Sequence, residues 1–279
     1  MNSAAQWRIA AASATGTSHA RLGTPCQDYA ITKVYQDADE CDVLLVVVSD
    51  GAGSAAKAEI GSSIACATVA EAVEVYFAEG GRVEAIDIEV ARSWLRMVQS
   101  AIATQAEDDA GMVRDYACTL LVAVVGENSA ATIQVGDGAI VVSDGDGWSW
   151  AHWPQRGEFA NTTFFATEER AESQMAFASS KGRVIELAAF SDGIEPLVIQ
   201  YATQTVFEPF FDKMFPAVRA VKDEGLNDKL STALASYLSS PSICERTDDD
   251  KTLVLATRRQ VLDVAESPQS TLRAESANE

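Results

Sequence analysis

The strongest constraint in the chain is an unbroken apolar run at residues 43–48, VLLVVV, which stops abruptly at Ser49-Asp50-Gly51-Ala52-Gly53-Ser54. A half-buried strand alternates apolar and polar side chains. A continuous run rich in β-branched residues reads instead as a strand buried on both faces. A chain that holds such a strand must pack a layer against each side of it.

The rest of the pattern supplies those layers. Residues 7–13 read as a short strand, followed by a polar loop with the turn formers Thr15, Gly16, Gly23 and Pro25, and residues 30–35 alternate as a half-buried strand does. After the Asp50-Gly51 turn, residues 55–78 place Ile60, Ile64, Ala67, Val69, Ala72, Val73 and Tyr76 in helical register, and Gly80-Gly81 terminates them. A second amphipathic helix is predicted at 88–107, with Val90, Trp94, Leu95, Val98 and Ile102 on one stripe. Strands resume at 119–125, 131–135 and 139–143, the last two joined by Gly136-Asp137-Gly138 in a hairpin-type turn, and 148–153 extends the meander. A further apolar strand at 183–190 ends in Ser191-Asp192-Gly193, helices are predicted at 208–221 and 227–238, and the last strand is 252–256.

Strands that come in groups argue against a regularly alternating parallel sheet. They predict an α+β fold of antiparallel sheets with helices packed outside. No linker divides residues 1–259, which read as one domain, and residues 260–279 read as a polar, disordered tail.

Charge narrows the function classes. The 41 acidic residues outnumber the 21 basic ones, for a net charge of −20, which argues against nucleic-acid binding and against adhesion to anionic membranes. No apolar stretch reads as the ~18 residues of a membrane span, and residues 1–9 show no basic-then-apolar leader. The five cysteines contain no CxxC pair, which fits a reducing, cytoplasmic setting. With two histidines there is little material for a Ser-His-Asp hydrolase, and no Gly-rich P-loop is present.

The acidity has a sharper reading in its spacing. Asp50, Asp137 and Asp192 each follow an apolar strand and precede a glycine, and Asp249 stands just before the final strand. A carboxylate at a strand end is held on a rigid element, and the following glycine leaves its carbonyl accessible. Several such groups brought together make an oxygen-only site suited to Mg2+ or Mn2+. Asp144-Gly145 and Asp146-Gly147 read as ordinary solvated turns.

Taken in order, Ser18-His19, Gly23-Thr24-Pro25-Cys26-Gln27-Asp28, Ser49-Asp50-Gly51-Ala52-Gly53, Thr119-Leu120-Leu121, Gly136-Asp137-Gly138, Ser191-Asp192-Gly193 and Asp249-Asp250-Lys251-Thr252-Leu253 resemble the metal-dependent type 2C protein serine/threonine phosphatases, in a bacterial subgroup. The resemblance spans about residues 10–257. It implies a four-layer αββα sandwich of two antiparallel sheets. It implies hydrolysis of phosphoserine and phosphothreonine by a water or hydroxide held between two Mg2+ or Mn2+ ions, with room for a third. Carried onto this chain, Asp50 would bridge both ions and the Gly51 carbonyl would bind one; Asp192 and Asp249 would hold the other; Asp28 would hydrogen-bond metal-bound waters; Asp137 would serve the accessory ion. The partner implied is a phosphoprotein, either the target of a serine/threonine kinase or such a kinase itself.

The pattern departs from the family at three places. Gln27 stands where an acid often precedes the Asp28 equivalent. Gly23 stands at the usual phosphate-binding arginine, which leaves His19 and Arg21 as substitutes. Ala52 stands where some members carry a histidine proposed as general acid, so leaving-group protonation falls to His19 or to water. His152, between Trp150 and Trp153, reads as structural, and residues 157–163 as a loop at substrate entry. These departures leave two further readings open: a non-catalytic regulatory module that binds a phosphoprotein, and a phosphatase of small metabolites.

Overall fold

The computed structural model describes residues 7–155 and 163–258. The tail at 260–279 and nearly all of the entry loop at 157–163 lie outside the described residues. Along the chain come β1 (Arg8–Ala14), α1 (Thr17–Leu22), β2 (Tyr29–Gln36), β3 (Asp42–Ser49), α2 (Ala58–Ala78), α3 (Ile88–Asp108), β4 (Leu120–Val125), β5 (Ser129–Val135), β6 (Ala139–Ser143) and β7 (Ser149–Trp150). The second half holds α4 (Ala171–Gln174), β8 (Ala176–Lys181), β9 (Glu186–Phe190), α5 (Glu195–Val198), β10 (Ile199–Gln200), β11 (Thr205–Val206), α6 (Glu208–Arg219), β12 (Gly225–Leu226), α7 (Asp228–Leu238), α8 (Pro241–Cys244) and β13 (Lys251–Thr257).

The strands form two main sheets. One runs β2-β3-β4-β5-β8 and the other β12-β1-β13-β9-β6-β7. Every pairing in them is antiparallel except the short parallel contact of β12 with β1. Side-chain parity then builds three cores. On β3, Val43, Leu45 and Val47 pack with Val69, Val73, Trp94, Leu95 and Val98 of α2 and α3. Leu44, Val46 and Val48 turn the other way and meet Ile140, Leu187, Ala189, Val254 and Ala256 of the second sheet. On the far face of that sheet Phe190, Leu253 and Leu255 pack with Phe211 and Phe215 of α6 and Leu234 and Leu238 of α7. The result is helix, sheet, sheet, helix. The apolar run at 43–48 is buried on both faces, each residue no more than 1% exposed, and full burial of a Val or Leu side chain stabilises by about 1.5–3 kcal/mol.

The structure corrects the sequence reading in four places. Gly136-Asp137-Gly138 is not a hairpin: β5 belongs to one sheet and β6 to the other, so this turn carries the chain across the sandwich. Residues 17–22 of the polar loop form α1, a single short helix closed by Gly23 in the left-handed region (φ 72°); six residues are too few to show a period. β8 is a half-exposed edge strand, AFASSK, with no alternation to announce it. The strand expected at 148–153 shrinks to the two residues of β7.

α2 also qualifies by length and composition as a membrane span, which the apolar-run criterion missed, because it mixes Ala, Gly, Ser and Cys with its larger apolar residues. Half of it is buried inside the fold, with Ala65, Cys66, Val69 and Val73 in the core beneath the first sheet.

Candidate active site

Strand register explains why five distant aspartates meet. β2 and β3 are antiparallel with Tyr29 opposite Ser49, so Asp28, just before β2, lies beside Asp50, just after β3. β9 and β13 are antiparallel with Phe190 opposite Leu253, which sets Asp192 beside the loop that ends in Asp249 and Asp250. Ala139 at the start of β6 is also opposite Phe190, so the crossover carrying Asp137 arrives at the same end. Both sheets therefore deliver their carboxylates to one edge of the sandwich.

The backbone there is tightly tied. Asp50 N–H donates to Thr119 Oγ1 (2.9 Å), Thr119 N–H to the Asp50 carbonyl (2.8 Å), and Ser49 Oγ to the Thr119 carbonyl (2.6 Å). Gly51 N–H donates to the Gln27 carbonyl at 3.1 Å, joining the Asp50 turn to the Asp28 loop. Across the cleft, a Cβ on Gly193 would lie 1.9 Å from the Asp250 carbonyl oxygen, and one on Gly16 would lie 2.4 Å from the Asp249 carbonyl carbon. Only glycine lets these loops approach so closely.

Asp50, Gly51, Asp137, Asp192 and Asp249 line one cleft of about 670 Å3, together with His19 and Glu195. Asp28 lies behind it, 4% exposed, its Oδ2 accepting from Ser191 Oγ. Burial comes first in raising these carboxyl groups, and their mutual repulsion adds to it. Asp28 is pushed up to about 6 by burial and by the charge of Asp250, against the hydrogen bonds it accepts. Asp192 is pushed up to about 7 by burial, then by Asp137 and Asp249. Asp50 is held well above the usual carboxylate range by burial and by Asp28, Asp192 and Asp249. Such a cluster is unfavourable unless protons or cations neutralise it.

The donor set suits a hard cation, since it contains only oxygen. Asp28 Oδ1 and Asp192 Oδ1 are buried and make no hydrogen bond, which leaves each able to take a cation or a cation-bound water. As they stand, no group of three or more His, Cys, Asp or Glu among the described residues forms a ready-made metal cage.

The remaining predicted residues divide. His19 reaches the cleft and lies beside Asp250, its Nδ1 2.8 Å from Asp250 Oδ2 but out of line for a hydrogen bond. Arg21 does not line the cleft; its side chain is 72% exposed, 3.8 Å from Asp248 Oδ2, and its Nε bonds back to the Thr17 carbonyl. His152 stacks no chemistry onto the site: its Nε2 meets Thr132 Oγ1 at 3.0 Å, and burial lowers its proton affinity. Asp144 and Asp146 are exposed turn residues. Sequence reasoning missed Asp250, Ser191, Thr119 and Glu195. Asp250 had a signal: it is the last acid before a fully buried strand, so its side chain enters the protein while that of Asp249 stays outside.

Fold and cleft place the chain among known proteins. The sequence profile of the protein phosphatase 2C family matches residues 15–235, and the chain belongs to this family of metal-dependent serine/threonine phosphatases. It is 37% identical over 250 residues to serine/threonine-protein phosphatase 3 of Escherichia coli (strain K12), covering 90% of this chain and 98% of that one. Among solved structures it resembles the serine/threonine phosphatase Stp1 from Staphylococcus aureus (TM-score 0.58, 16% identity, 92% of this chain and 97% of that one). It also resembles the catalytic domain of the serine/threonine protein phosphatase PstP in complex with 2 manganese ions (TM-score 0.56, 17% identity, 90% and 98%). At these identities the two structures speak for the fold. The family profile ends before Asp249, so the last carboxylate rests on the geometry described above.

Proposed function

We propose that the chain dephosphorylates phosphoserine and phosphothreonine in proteins, using two Mg2+ or Mn2+ ions held by the carboxylates of this cleft. The observation that carries the reading is the convergence of Asp50, Asp192 and Asp28, each raised by burial and by its acidic neighbours. In this scheme Asp50 and the Gly51 carbonyl, with Asp192 and Asp249, hold the ions. Asp137 serves an accessory ion. When bound, the ions supply an acidified water as nucleophile and neutralise the charge of the phosphate.

The chain's own groups do the rest. Asp28, fixed by Ser191, orients water at the back of the site. His19 is the phosphate contact rather than Arg21, because only His19 lines the cleft. A second hollow of about 860 Å3 shares Ser54 and Phe165 with the cleft and carries Arg114, Glu168 and Glu169. It offers room for peptide flanking the phosphoresidue, which favours a protein over a small metabolite. Five free cysteines accord with a reducing cytoplasmic setting.

The test is turnover of p-nitrophenyl phosphate and of a phosphothreonine peptide with Mn2+. Activity is expected with Mn2+, lost in EDTA and in Asp50→Ala and Asp192→Ala. A protein that binds the phosphopeptide but turns over neither substrate with any divalent ion would instead be the non-catalytic module. Preference for sugar or nucleotide phosphates would make it a metabolite phosphatase.

A further inference from the structure

We propose that Lys251 is the positioning residue for Asp249: its buried ammonium, bonded to the Asp249 carbonyl, fixes the direction in which the Asp249 carboxylate enters the cleft and so sets how tightly that carboxylate holds an ion. The inference rests on the metal-dependent reading above. Asp249 and Asp250 are consecutive and point opposite ways. Asp249 lines the cleft, whereas Asp250 is 2% exposed and accepts the Gly16 N–H through Oδ1 and the Gln27 N–H through Oδ2, both at 2.6 Å. The peptide unit between the two decides which carboxylate faces the metal side, so the group that holds its carbonyl holds the site.

Lys251 is that group. Its Nζ donates to the Asp249 carbonyl at 2.8 Å, and no other donor reaches that oxygen among the described residues. Gly16 backs the same unit so closely that a Cβ there would lie 2.4 Å from the Asp249 carbonyl carbon. The Asp250 N–H completes the grip by donating to Asp249 Oδ1 at 2.8 Å. The Lys251 stem leaves β13 opposite Ala14 and passes the Asp192 turn, where a Cβ on Gly193 would lie 3.2 Å from Lys251 Cγ. One side chain therefore touches both loops that carry Asp192 and Asp249.

Burial separates this role from simple packing. Lys251 is 0% exposed and has no carboxylate partner among the described residues. Taking an ammonium out of water for one carbonyl bond costs more than burying a methionine of similar length, so a filler at this position needs no charge. The ammonium also repels a cation placed nearby. Any gain in metal affinity therefore comes from geometry, and geometry and charge act with opposite signs.

The test is calorimetric titration of the full chain with Mn2+, comparing wild type with Lys251→Met, which keeps the stem and removes the donor. One Mn2+ dissociation constant is expected to rise roughly 10-fold or more, with the melting temperature in EDTA at or above that of wild type. Turnover of p-nitrophenyl phosphate is expected to need correspondingly more Mn2+ for its half-maximal rate, with kcat at saturating Mn2+ within several-fold of wild type. Unchanged affinity would make Lys251 a core filler, and tighter binding would make it a charge that opposes the ion; either result overturns the proposal. A measurement on the wild type serves should Lys251→Met fail to fold. In 15N spectra of the lysine ammonium groups, the Lys251 signal is expected to exchange slowly with water and to shift as Mg2+ is titrated; a signal indifferent to Mg2+ would overturn the proposal. A wild type that binds no divalent ion sinks the metal-dependent reading itself, whereas Mn2+ bound equally well by wild type and Lys251→Met sinks only the role of Lys251.

Discussion

Ser191 Oγ donates a 2.6 Å hydrogen bond to Asp28 Oδ2 and accepts one from the Thr252 N–H at 2.9 Å. One hydroxyl thus joins the second sheet, through β9 and β13, to the carboxylate that begins β2 in the first. It also opposes the burial that raises Asp28.

Ser191→Ala should therefore do two things. It removes a charge-assisted bond and leaves the buried Thr252 N–H without its acceptor, at a cost of about 2–4 kcal/mol. Urea unfolding in EDTA should show that loss as a lower midpoint at unchanged slope. An unchanged midpoint would mean that the two sheets are not coupled through this hydroxyl.

Gly193→Ala probes the opposite wall. A Cβ there would sit 1.9 Å from the Asp250 carbonyl oxygen, so the Asp192 turn and the start of β13 must separate. Placing the methyl without separation is impossible at van der Waals distances, and displacements of this kind cost several kcal/mol. Melting of the purified variant should report it, together with weaker Mn2+ binding, because Asp192 and Asp249 would move apart. Mn2+ affinity equal to wild type would contradict the geometry.

The layers were legible for a simple reason. Residues 43–48 cannot be half-exposed, and the helical stripe through Val90, Trp94, Leu95, Val98 and Ile102 has one face; four of those five are buried against the first sheet. The site was legible as a set of strand-end aspartates, because strand ends are where a sheet presents a carboxylate. Three features were not. The crossover at Gly136–Gly138 looks like a hairpin locally, and only sheet membership distinguishes the two. The acceptor role of Asp250 depends on two donors, the Gly16 and Gln27 N–H groups, both over 200 positions away. Arg21 and His19 are two residues apart and equally plausible in sequence, but a short helix sends them to different sides, one to Asp248 and solvent, one to the cleft.

Metal dependence should carry a pH signature. Asp28 and Asp192 are raised from 3.8 to about 6 and about 7 in the folded protein. A carboxyl raised on folding contributes stability that is full below its unfolded value and disappears as pH rises through its folded value. Without metal these two groups therefore weaken the fold across about pH 4–8. Bound Mn2+ cancels the repulsion, so the rise in melting temperature on adding saturating Mn2+ should grow from about pH 5 to pH 8. The same ions should release protons on binding near pH 6 and almost none near pH 9. Melts and unbuffered titrations check both; a metal-induced rise that shrinks with pH would contradict the assignment.

Asp50→Asn separates catalysis from stability in a single variant. Asp50 is held well above the ordinary carboxylate range by burial and by Asp28, Asp192 and Asp249, so ionising it opposes folding. The amide keeps nearly the same shape, and its backbone bonds with Thr119 are untouched. Removing a carboxyl whose ionisation is opposed by burial and by three acidic neighbours should leave the metal-free protein at least as stable as wild type at pH 8. The same change should cost at least ~10³-fold in kcat on p-nitrophenyl phosphate and abolish tight Mn2+ binding, because the amide offers one neutral oxygen in place of a carboxylate. Stability bought by losing function is the mark of a site kept strained for its ligand. A variant that is both inactive and less stable in EDTA at pH 8 would show that Asp50 is structural, and would remove the carboxylate cluster as the basis of the activity.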